Sequence, residues 1–167
     1  GSKEAAKASQ KALMLPLLTF CVVRPLEYWD APIQYAPLVE SLATVARHAH
    51  MPYNLVWISS GQSVEFWQRE PGLALAELRL PKPYVCLVKG MGSFAGAWVD
   101  SGFAMLGDVS LDALQEQGLP DWDNPYSRYP QLGAVRHELE HLLCRCVWID
   151  YDRYWATWDW IFKWRWN

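Results

Sequence analysis

The chain has 167 residues, 51% of them apolar, and a formal net charge of −3. That length and apolar content suit one domain with a packed core and exclude a disordered chain. Acids and bases are interspersed without a basic stripe, which excludes the footprint of a nucleic-acid binder, and no apolar run approaches the roughly 20 residues of a membrane span.

Residues 1–11 are polar and Ala-rich and predict a flexible leader, with one domain over 12–167. KEAAKASQK followed by ALMLPLLTFCVV resembles the basic and apolar regions of a signal peptide, but Arg24-Pro25 stands where a small-residue cleavage site belongs. The leading Gly1-Ser2 has the look of a cloning remnant, and the apolar run 13–23 reads as a buried strand with Pro16 at its edge. RPLEYWDAP is a turn-rich link. From Ile33 a helical stripe of Leu38, Leu42, Val45 and Ala46 runs to a stop at Pro52. His48 and His50 at its end suit the helix dipole, with extra metal ligation the remoter reading.

Short strands are predicted at 53–60 and 63–68 around Gly61, then at LAELRL and at 84–90, the last two separated by PKP. MGSFAGAWVDSG reads as a loop and FAMLGDVSL as strand or loop, with Asp100 and Asp108 as solvated acids beside a possible site. A short helix is expected from Ser110 to near Gly118. DWDNPYSRYP is a long loop, after which Pro130 opens a late helix. This order predicts an α+β fold, with a mixed, antiparallel-edged sheet packed on the first long helix and on the late one.

The late helix carries HELEH, from His137 to His141. Leu132, Val135, Leu139, Leu142 and Cys146 make its core-facing stripe, and the two histidines share a neighbouring one. Residues four apart on a helix face the same way, so His137 and His141 can offer two imidazoles to one metal ion. Glu138 is turned about 100° from His137 and is the candidate general base, taking a proton from the attacking water and passing it to the leaving amine.

HELEH matches the HExxH signature, and the chain resembles the zincin metallopeptidases, in particular the N-terminal subdomain of metzincin-type enzymes. The resemblance implies a zinc-dependent peptidase acting on peptides or proteins, with Zn2+ on His137 and His141 and Glu138 catalytic. It also implies that the last strand before the helix is an edge binding substrate backbone by strand addition. The metzincin pattern then departs. Cys144 and Val147 stand where its glycine and third histidine belong, and the last methionine is Met105. Related zincins take a carboxylate from a later segment, which leaves Asp150, Asp152 and Asp159 as third-ligand candidates beside the thiols of Cys144 and Cys146.

Six of the 11 tryptophans follow residue 147. From Trp158 the aromatics alternate (Trp158, Trp160, Phe162, Trp164, Trp166), which predicts a strand with one aromatic face within the Trp-rich segment 148–167. That face could pack over the metal helix, join two copies in a homodimer or bind another partner; membrane anchoring ranks below these. The alternative to a peptidase is therefore a non-catalytic interaction domain on a degenerate zincin scaffold. Four sparse cysteines without a CxxC pair point to a reducing, cytoplasmic compartment, with secretion the other possibility.

Overall fold

The computed structural model describes residues 1–5, 17–116 and 130–145. In chain order the elements are β1 (Leu18–Arg24), a 3-10 turn at Leu26–Tyr28, α1 (Tyr35–His48), β2 (Tyr53–Ser59), α2 (Val64–Arg69), α3 (Pro71–Leu78), β3 (Tyr84–Val88), β4 (Ala95–Trp98), β5 (Phe103–Leu106), α4 (Asp108–Leu114) and α5 (Pro130–Cys144). The fold is α+β. Among the described residues five strands form one mixed sheet in the order β2-β1-β3-β5-β4, parallel except for β4, which runs antiparallel to β5.

Alternation along the inner strands supplies two cores. Phe20 and Val22 of β1 join Leu38, Leu42 and Val45 of α1, Leu111 of α4 and Val135 and Leu139 of α5 on one face. Cys21 and Val23 join Trp67 of α2, Leu75 of α3, and Cys86 and Met105 on the other. Helices therefore cover both faces, which is why β1 and β3 are buried continuously rather than alternately.

Two expected strands are helices. At 63–68 the Ser63 hydroxyl accepts the Phe66 N–H at 3.1 Å, and the Glu27 carboxylate accepts the Val64 N–H at 3.1 Å. These caps satisfy the first amides of α2 and turn Trp67 into the core. LAELRL looks alternating at its end, but Ala74, Leu75 and Leu78 share a helical face, and Pro71 supplies the fixed φ of a first helical turn. Within the expected glycine-rich loop, residues 95–98 form β4. The expected edge is also corrected. β5, the last strand, is internal, because the turn at Gly102 (φ +79°) folds β4 back along its outer side.

Asp108 is not a solvated loop acid. Its carboxylate accepts the N–H groups of Gly90 at 3.0 Å and Gly92 at 2.8 Å and pairs with Lys89 Nζ at 3.3 Å. This ties the loop entering β4 to the start of α4, two residues earlier than expected. Gly107 lies against the same loop, where an added Cβ would run into the Gly92 carbonyl and stand 2.6 Å from Met91 O. Gly107→Ala is thus expected to cost about 1–3 kcal/mol as overpacking against backbone. Gly61→Ala, with nothing within 4 Å of the new methyl, should stay within about 0.5 kcal/mol of the parent. Urea midpoints of the two variants test this pair directly. Among the described residues, no helix is long and apolar enough to cross a membrane.

Candidate metal centre

Pro130 opens α5, and Arg145, at φ 52°, ends it. Val135, Leu139, Leu142 and Leu143 bury the helix in the first core, against α4, β4 and β5. Leu132 is within the helix, but its side chain and that of Cys146 lie outside the described residues.

The face beside this stripe is more enclosed than a polar helix face would be. Arg136 is 1% exposed, Glu138 6% and Glu140 5%, while His137 and His141 are half-buried. Burial raises the pKa of Glu138, an effect partly offset by His141. Burial likewise pushes Glu140 up to about 7, with Arg136 acting in the opposite direction. His137 is held below its usual value by burial and then by His141, which favours the neutral imidazole that can act as a ligand. The buried Arg136 and Glu140, one turn apart, went unnoticed in the sequence, although their i,i+4 spacing is visible there.

His137 Nε2 and His141 Nε2 lie 3.0 Å apart, with ring centroids at 4.5 Å and planes at 87°. Without a metal, one ring can donate to the other at this distance. Two nitrogens bound at 2.0–2.1 Å on a tetrahedral zinc would be about 3.3 Å apart, so the pair fits two positions of such a site after a shift of a few tenths of an ångström. The Glu138 Oε1 stands 4.0 Å from His137 Nε2. The three residues named from HELEH are therefore together.

The described residues bring no third donor side chain to this pair. No group of three His, Cys, Asp or Glu side chains suited to a metal occurs there, so neither His48, His50 nor Cys144 completes the pair. Asp150, Asp152, Asp159 and Cys146 lie outside the described residues, as does the Trp-rich segment.

Among the described residues the sheet edge beside α5 is β4, not β5. The bond from Gly107 N–H to Phe94 C=O, 2.9 Å, sets the phase of the β4–β5 ladder. Gly96 and Trp98 then face β5, while Ala95 and Ala97 direct their N–H and C=O groups away from it. Among the described residues no strand pairs with that side, and α5 packs directly on β4. Comparison with protein-family models, with curated proteins and with solved structures finds no match to this chain in any of the three.

Proposed function

We propose that the protein is a zinc-dependent peptidase of the zincin kind, with His137 and His141 as metal ligands and Glu138 as general base. The observation that carries the reading is the convergence of His137 Nε2 and His141 Nε2 at 3.0 Å beside the buried Glu138. When bound, zinc would polarise the scissile carbonyl and lower the pKa of water. Glu138 would take the proton of the attacking water and return it to the leaving amine. Its burial supports this role, because a carboxylate with a raised pKa holds a transferred proton better.

The open side of β4 would hold an extended peptide by backbone bonds from Ala95 and Ala97, next to the metal helix. This makes peptides or proteins the substrate class. The third ligand would come from the segment after α5, among Asp150, Asp152, Asp159 and Cys146. Free, buried thiols at Cys21 and Cys86 favour a reducing compartment such as the cytoplasm.

Metal content decides the first half of this reading. Protein purified without a His-tag or added metal is expected to carry about one zinc per chain by mass spectrometry, and His141→Ala to carry essentially none, since two remaining ligands hold zinc poorly. A parent protein that stays metal-free after equilibration with zinc would turn HELEH into an enclosed polar helix face and end the proposal.

A further inference from the structure

The second edge of the sheet, far in strand order from β4, is built differently. β2 has seven residues, Tyr53–Ser59, and among the described residues it pairs only with β1. It contains no proline and no charged residue. Soluble proteins normally protect a long edge with lysine, proline, a bulge or a covering element, and β2 has none of these within the described residues.

An aromatic surface adjoins the same edge. Tyr35, at the start of α1, stacks on Trp57 of β2 with centroids 5.6 Å apart and planes at 27°. The Arg24 guanidinium lies over Trp57 at 5.6 Å, and Arg24 Nε donates to Ala31 O at 2.9 Å, which ties the turn that precedes α1 and contains Trp29 to the same arginine. Trp29 is 71% exposed, Tyr35 61% and Trp57 36%. For side chains of this size that amounts to about 400 Å² of aromatic surface left in water. It is about half of the roughly 800 Å² that each partner buries in a stable complex, and pairing along seven residues would add backbone and flanking area.

We infer that β2 is the dimer edge, pairing antiparallel with β2 of a second copy to make a continuous ten-stranded sheet. An uncharged strand suits this occupant, because a two-fold axis brings the residues at its centre near their own equivalents and any charge there would repel itself. With the axis at Val56, Trp57 falls opposite the partner's Leu55. Leu55 and Tyr53 already pack towards the α1 side of the sheet. Strand alternation puts Trp57 on that side too, so the aromatic stack extends the same layer across the axis.

The test is the mass of the full chain in solution, by light scattering and sedimentation up to about 100 µM, a range that detects any dimer tighter than about 10 µM. A species of twice 19.2 kDa is expected. Val56→Glu, which sets two carboxylates face to face, should weaken it at least about 100-fold, and Trp57→Ala about 10-fold. Circular dichroism checks that each variant is folded; if Val56→Glu is not, Trp57→Ala decides. Ala95→Glu on the β4 edge should leave the dimer intact. A monomeric parent, a dimer indifferent to the β2 changes, or one equally sensitive to Ala95→Glu would each overturn the inference.

Discussion

Glu138→Ala is expected to lower kcat for peptide hydrolysis by about 10²- to 10⁴-fold, the range that a positioned general base contributes, while zinc content stays that of the parent. The expectation follows from placement. Glu138 is buried beside the histidine pair, its Oε1 is 4.0 Å from His137 Nε2, and its carboxyl has a raised affinity for protons. Glu138→Gln keeps the shape and removes the proton acceptor, so it should lose nearly as much. The two readouts separate the possible roles. Lost activity with zinc retained identifies a base, whereas loss of both would make Glu138 a ligand or a structural support. Hydrolysis equal to the parent's in a zinc-loaded variant would show the mechanism to be wrong.

The largest effect on stability is expected at Trp67→Ala, about 3–5 kcal/mol. Trp67 heads the fully buried side chains, and its Nε1–H donates to Ser60 Oγ at 3.1 Å. It is the main side chain by which the six-residue α2 enters the second core, together with Cys21, Cys86 and Met105. Truncation would therefore leave both a cavity and an unfilled hydrogen bond. Trp67→Phe keeps most of the apolar volume and should cost less than the alanine variant. Urea unfolding followed by circular dichroism reads both changes. A loss below about 1 kcal/mol in Trp67→Ala would mean that α2 does not depend on this contact.

The legibility of this chain divides along a physical line. HELEH could be interpreted on paper because the i,i+4 geometry of an α-helix is local, and it brings His137 and His141 together whatever the rest of the chain does. The stripe of Leu38, Leu42 and Val45 on α1, and the apolar runs of β1 and β3, were readable for the same reason: each repeat is set by backbone periodicity. The segment 63–68 was not, since six residues are too few for periodicity to separate helix from strand. The Ser63 cap and the distant Glu27 carboxylate settle it. Asp108 looked like any loop acid until the fold brought Gly90 and Gly92 against it.

By itself, then, the sequence determined the α+β content, the late helix and the pairing of its two histidines, all consequences of short-range geometry. Only the tertiary structure decided which carboxylates are desolvated. Glu138 and Glu140 lose water because α5 is pressed into the sheet and α4, and no pattern of neighbours in the chain records that burial. It also decided which strands are edges. An edge is defined by a missing neighbour, and strand order arises from pairings between segments far apart in the chain, where β5 goes inside and, among the described residues, β4 and β2 are left at the edges.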